Sequence, residues 1–436
     1  MAFKISVRSR FQRRLSLVTF AMAMALTSIA TAQSLVRNQA AGRLGIERTW
    51  FAQVQVNAAQ HKVVHWLLDR DQLFALTSAG AVQAFDAETG QTLWTTELGV
   101  GHSPAAGVAV NSKYIALLGA GRIYVMDRTD GHHLWSRQIG GASVAAPALS
   151  ETHAYVVLLS GRVEGYRLDS PSEAVWQYQS DGRIFQNPTT TGQVVSWPTD
   201  SGKLYVGQAE TPRVLFRVET NDEIVTAPAE QEPYLYVASL DGYLYCFHEL
   251  TGSEQWRYAT GFAITSRPAI VGDIAYVASE GPTLHAVSAS TGQALWQVSG
   301  AAQFVALGKQ HTYGMDRYGT LVVIDNATGG VAGRLSTGAG SMALVNDQSD
   351  RIFLINDNGL VQCLKEIGAD QPTWHRESSA DSPATDESAA EQGTDPTETT
   401  APDESTDDTE ASPFELDEDD AGPEADEVDE PSPFEF

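Results

Sequence analysis

Cys246 and Cys363 are the two thiols of this chain, and ten histidines and 55 carboxylates complete its stock of reactive side chains. Thiols that pair must bring their Cα atoms within about 7 Å. These two are more than a hundred residues apart, each in a strand with large apolar neighbours (Leu244, Tyr245 and Phe247; Val361 and Leu364). A cysteine in such a strand behaves as a small buried hydrophobe. His132-His133 falls in a turn and His61 with His65 straddles a strand start, without a third donor at a metal-ligand spacing. No G-x-x-x-x-G-K-[ST] phosphate loop, G-x-S-x-G nucleophile turn or H-E-x-x-H metal helix occurs. The reactive types are present, but their spacing assembles no catalytic or metal site.

What does recur is tryptophan. Asp86 to Trp94 (DAETGQTLW) returns as Asp127 to Trp135 (DRTDGHHLW), Leu250 to Trp256, Ser290 to Trp296 and, eroded, Asp325 to Gly333. The aromatic slot holds Trp94, Trp135, Trp176, Trp256 and Trp296, with Phe216 between Trp176 and Trp256, so the period is about 40 residues. An Asp that bonds its own backbone two residues on, followed by a Gly free to take φ > 0, closes a tight turn. An indole buries on the order of 200 Å² and keeps one N–H for a carbonyl, which suits a joint between neighbouring units.

Each copy is a four-stranded unit. Ser103-Pro104-Ala105, Ala146-Pro147-Ala148, Asn187-Pro188-Thr189, Ala227-Pro228-Ala229 and Arg267-Pro268-Ala269 each open a strand, where proline forfeits no ladder bond. A second strand, a Gly turn and a third strand lead to the Asp turn, and the tryptophan opens the fourth. Four short strands per 40 residues make a propeller blade. The expectation is all-β: an eight-bladed β-propeller over residues 44–368. The third strands carry the two cysteines, three blades apart. Glu164, Glu223, Asp241 and Glu280 are candidates to line the axial mouth, although a solvated face is the plainer reading of each.

The D-x-x-T-G-x-x-L-W copies resemble the PQQ-type propeller repeat, found in quinoprotein dehydrogenases and in BamB-type factors of outer-membrane β-barrel assembly. The resemblance spans about residues 44–368. It implies blade docking by Trp94, Trp135, Trp176, Trp256 and Trp296, with Phe216 and Gly333 departing from the pattern and their joints packed differently. The dehydrogenase branch implies adjacent cysteines under the quinone, a calcium set and an Asp base, and this chain lacks the cysteine pair. The reading is therefore a non-catalytic protein-binding scaffold without PQQ or calcium, with an exported quinoprotein-like oxidoreductase or cofactor-binding relic as the alternative.

The ends carry their own signals. Residues 1–32 read as a signal peptide: a basic front (Lys4, Arg8, Arg10, Arg13, Arg14), an apolar run from Leu15 and an Ala30-Thr31-Ala32 cleavage site. Arg13-Arg14 leaves the twin-arginine route open beside the Sec route. No cysteine lies near the cleavage site, so no lipid anchor is expected, unlike BamB-type lipoproteins. The expected place is the periplasm or cell envelope, as a soluble monomer with protein partners. Of the net charge of −27, residues 1–32 carry about +5, residues 33–368 about −9 and residues 369–436 about −23. That balance disfavours nucleic acid, whose phosphates need an excess of Lys and Arg.

Residues 369–436 read as a disordered acidic tail rich in Ser, Thr and Pro, too poor in apolar groups to offset ordering entropy. Closure of the ring has two registers: the strand around Trp50 completes the last blade, or a strand at Trp374 does. The first is favoured, because Asp370-Gln371-Pro372 leads poorly into a strand. The tail repeats one word, Ser412-Pro413-Phe414-Glu415 and Ser432-Pro433-Phe434-Glu435, and ends on Phe436. Two weak hooks on one tether bind more tightly together than either alone. A pull-down from envelope extract should accordingly lose partners when Phe414, Phe434 and Phe436 are changed together to Ala; identical partners at the same salt would reduce the tail to a solubilising brush.

Overall fold

The computed structural model describes residues 35–99, 106–338 and 340–375. The signal segment, Ser103-Pro104-Ala105 and the tail words with Phe414, Phe434 and Phe436 lie outside them. Within them the chain forms eight antiparallel four-stranded sheets, seven of which run in chain order from innermost to outermost strand. Blade 1 comprises Val63–Asp69, Gln72–Thr77, Ala81–Asp86 and Thr92–Glu97. Blades 2 to 7 follow over 108–138, 148–179, 189–219, 229–259, 269–299 and 303–336. The expected prolines stand at the blade entrances: Pro147, Pro188, Pro228 and Pro268 each precede an inner strand.

The eighth blade is built from both ends of the ring. Met342–Ala343, Ile352–Ile355 and Leu360–Glu366 supply its first three strands, and Ile46–Gln53 supplies the outermost. Trp50 stands opposite Cys363 and Gln53 opposite Leu360. Trp374 enters only a single bridge, to Ser349. Closing the ring this way pairs the edge that an open sheet would expose.

The core lies between blades, not within them. Phe74, Val82 and Trp94 of blade 1 pack with Ile115, Leu117 and Met126 of blade 2 as one buried cluster. The tryptophans cross these joints as their chemistry requires. The indole Nε1 of Trp50 donates to Ala87 O at 3.1 Å, Trp94 to Arg128 O at 3.1 Å, Trp135 to Leu168 O at 3.0 Å, Trp256 to Ala289 O at 3.0 Å and Trp296 to Asn326 O at 3.1 Å. Each acceptor follows the first residue of the next blade's turn. Gly131 shows why that turn needs glycine: its φ is +72°, and a Cβ there would sit 2.4 Å from the Trp94 ring.

A bulge aims the indole. Trp94 pairs with Ala84 while Thr92 pairs with Phe85, so Leu93 is left over; the same one-residue shift precedes Trp50, Trp135, Phe216, Trp256, Trp296 and Gly333. The extra residue turns outward, leaving Leu93, Leu134 and Leu295 exposed on the rim, and the next side chain turns into the joint. Blade 3 has no shift: Gly165 pairs directly with Trp176. There the turn carbonyl Ala209 O is taken by the Tyr155 hydroxyl, and Trp176 stacks on Tyr178, ring centroids 6.2 Å apart.

The two departing joints are filled in different ways. Phe216 lies against Gly252, its ring 2.7 Å from where a Cβ would be. At Gly333 the space is taken by Leu44 of the N-terminal segment, whose Cδ2 would be 2.4 Å from an added Cβ. The short helix Asn38–Gly42 before it buries Ala41 in the cluster shared by blades 7 and 8. The acidic segment also starts later than residue 369. Asp370 pairs with Lys365 at 2.9 Å, Thr373 O accepts from Asp350 N, and His375 N donates to Gln348 O at 2.8 Å. These bonds hold residues 369–375 to the propeller.

Trp135→Ala should lower unfolding free energy by about 3 to 5 kcal/mol, as a large-to-small change at a packed joint. Chemical melts check this; a shift no larger than that of Trp374→Ala, whose residue is 43% exposed, would contradict it. Removing residues 35–57 takes out Leu44 and the Trp50 strand together. It should lower the melting temperature far more than removing 376–436, and equal losses would contradict closure by the N-terminal strand.

Candidate functional site

The loops that enter the inner strands cluster at one face of the ring, and a repeated anchor sets their shape. Ile184, Ile224 and Ile264, each four residues before the blade's proline, are all but fully buried. With the isoleucine held below, the following side chain in blade 4 is left at the surface: Phe185 is 42% exposed. Val144, the matching residue before Pro147, is exposed too, and so are Phe262 and Tyr318 on blades 6 and 7. An I-x-x-x-P pattern marks these loops, with the isoleucine as the buried anchor and the proline at the strand entrance.

Between the loops of blades 4 and 5 lies a cleft of about 120 Å³, floored by Phe185, Pro198, Ile224 and Val225 and edged by Arg183, Asp200 and Glu223. Arg183 lies over the Phe185 ring at 5.1 Å and binds Asp200 at 2.8 Å, which fixes that wall. Glu223 stands on the other wall. The slot mixes apolar side chains with polar ones, Gln186 and Thr199 among them, and carries the Glu223 carboxylate on one wall.

The other sequence candidates are dispersed. Glu164 is buried, accepting from Gly140 N at 3.0 Å and Tyr166 OH at 2.6 Å and pairing with Arg162 at 3.2 Å. Asp241 accepts from Tyr245 OH at 2.5 Å and caps its own turn. Glu280 lies on the loop face of blade 6, where its carbonyl binds Arg317. Only Glu223 reaches the cleft. His65 is half-buried, with Val108 N donating to its Nδ1 at 3.3 Å, and loss of solvent around the ring pushes its imidazole down to about 4. His133 packs beside Tyr124, and His61 lies 3.4 Å from the Ser78 hydroxyl. Cys246 and Cys363 are free and buried, and burial pushes both thiols up to about 12.

Towards the axis, Arg267 of blade 6 donates to Pro228 O at 3.1 Å and to Glu230 at 2.9 Å, both in blade 5. Its guanidinium also comes within 3.7 Å of Asp347 in blade 8. A side chain that reaches a blade two places away passes beside the axis, so the mouth is braced by an ion network.

Residues 78–204 and 160–392 match the family described as outer membrane protein assembly factor BamB. The chain belongs to this BamB family. Among solved structures, the crystal structure of BamB from Moraxella catarrhalis aligns with a TM-score of 0.59 at 17% identity, over 73% of this chain and 97% of that one. The computationally designed Ika8 protein aligns with a TM-score of 0.56 at 16% identity, over 70% of this chain and 96% of that one. At such identities the likeness is one of fold. A search of curated proteins finds no match.

Proposed function

We propose that this chain is an exported, non-catalytic propeller of the cell envelope that docks protein partners on its loop face, in the service of outer-membrane protein assembly. The observation that carries the reading is the cleft between blades 4 and 5: a slot floored by Phe185, Pro198, Ile224 and Val225 with the Glu223 carboxylate on its lip. Rigid scaffolds use loops for recognition, and a half-exposed aromatic beside a fixed arginine is a low-entropy anchor. The partner segment it suits is extended, with one apolar side chain for the slot and a Lys or Arg for Glu223. The family description supports the assembly role, and the basic front, apolar run and Ala-Thr-Ala site of residues 1–32 support export.

Side-chain placement supports the non-catalytic part. A quinone seat of the dehydrogenase kind would need two adjacent cysteines near the axis. Cys246 and Cys363 lie in blades 5 and 8, each inside an interblade cluster. The axial position nearest the loops is taken by the Arg267 network. The residues present do not fit that cofactor.

A photo-crosslinker placed at position 185 in cells should give protein adducts that one at the equally exposed rim position 93 does not, and Glu223→Lys should reduce them severalfold. Identical adducts from both positions would overturn the docking site, and a quinone absorbance with bound calcium in the purified native protein would overturn the non-catalytic reading.

A further inference from the structure

One interblade joint places a carboxylic acid at its turn residue. In blades 1 to 7 the residue after the first turn position is set by the same backbone bond: Ala87 N to Asp71 O, Arg128 N to Lys113 O, Leu168 N to Thr152 O, Ala209 N to Gln193 O, Glu249 N to Pro233 O, Ala289 N to Asp273 O and Asn326 N to Gln310 O. This residue faces the preceding blade. Its carbonyl receives the indole N–H at several joints, and tyrosines of the preceding blade's second strand add hydroxyls: Tyr155 OH to Ala209 O, and Tyr236 OH to Ala289 O at 3.3 Å.

Between blades 4 and 5 both donors are replaced. The indole slot holds Phe216, which has no N–H, and the tyrosine slot holds Ser196, which is too short to cross. The turn residue is Glu249, the acid in this series. Its side chain is wholly buried, and neither carboxyl oxygen has a hydrogen-bond partner of good geometry. The Ser196 hydroxyl is also wholly buried and without a partner. A buried ionised carboxylate left so would cost several kcal/mol, and such a group takes up a proton instead.

We propose that Glu249 is a neutral carboxylic acid in the native ring, and that its ionisation loosens the seam between blades 4 and 5. Burial is the largest influence and pushes the carboxyl above its ordinary value of 4.5. Against it, the Thr191 hydroxyl of blade 4, whose hydrogen bond falls short of good geometry, and His248 beside it favour the ionised form, while Glu232 and Glu230 of blade 5 oppose the carboxylate charge. The native state therefore holds a proton that the unfolded chain has released. Stability from this group is highest at the acid end and falls as pH rises from 4.5 towards the raised folded value, then levels off. The same seam carries the docking cleft at its loop face, but the proton-holding role does not depend on that reading.

The test compares wild type with Glu249→Gln and Glu249→Leu, the latter copying Leu168 of blade 3, across pH 4.5 to 8.5. The melting temperatures should coincide at the acid end and diverge by about 2 °C per pH unit, the variants being the more stable, until the gap levels off. An infrared spectrum of the wild type at pH 6 should contain a protonated-carboxyl band that both variants lack. A gap independent of pH, a gap that widens towards acid, or a spectrum in which neither variant removes such a band would overturn the proposal. If the variants fold poorly, hydrogen exchange of wild type decides. Protection of the blade 4 outer strand should fall with pH relative to that of blade 1 after correction for intrinsic rates, and equal ratios at all pH values would overturn it.

Discussion

The indole N–H of one blade donating to a turn carbonyl of the next is the contact on which the ring depends. Each blade is a four-stranded sheet with both faces apolar, and neither face is covered until a neighbour packs on it. Hydrophobic burial supplies the attraction but no register, since apolar faces slide at little cost. A hydrogen bond has direction. Trp50, Trp94, Trp135, Trp256 and Trp296 each convert a sliding contact into a fixed one, and the bulge before each makes the aim possible.

The closing joint carries more than the rest. Trp50 meets the blade 1 turn from the N-terminal strand, and Arg351 of blade 8 meets the same turn from inside. Arg351 is only 1% exposed; its Nε and Nη2 bind the Glu88 carboxylate at 3.0–3.1 Å and its Nη1 binds Asp350 at 2.8 Å. Breaking a buried pair of this kind by removing one partner costs about 3 to 5 kcal/mol, because the other charge stays behind. Leu44 fills the neighbouring joint at Gly333, so the same N-terminal segment serves both sides of the last blade. A ring closed by a strand from the far end of the chain holds its two ends together in one sheet.

The repeat made the fold legible: an aromatic slot about every 40 residues, a turn before it and a proline at the entrances of blades 2 to 6. Closure by Trp50 was also legible, from the weakness of Asp370-Gln371-Pro372 as a strand lead. The bulge was not, although its trace is there in Leu93, Leu134 and Leu295, apolar residues that alternation would place inside. Leu44 was missed because it fills a space left by a glycine nearly three hundred residues away, which no local pattern reports. The anchor Ile184, Ile224 and Ile264 stood in plain spacing to the prolines, yet only comparison between loops shows that one residue is buried and the next exposed. Of the four carboxylates proposed for the mouth, Glu223 alone reaches the cleft; Glu164 turns inward because Tyr166, Arg162 and Gly140 N hold it there. Glu249 gives no sign in sequence, since its unusual setting arises from Phe216 and Ser196 across a joint.

These joints also frame the functional reading, because a loop face can present a fixed cleft only if the blades beneath it do not slide. The account stands on the claim that indole donors lock that ring, the N-terminal one included. Hydrogen exchange of the indole N–H groups, followed by NMR on the native protein, measures it most directly. The account predicts that the Trp50 indole is protected to the same degree as those of Trp94 and Trp135, while Trp374 exchanges freely. A Trp50 indole exchanging as fast as that of Trp374 would contradict it.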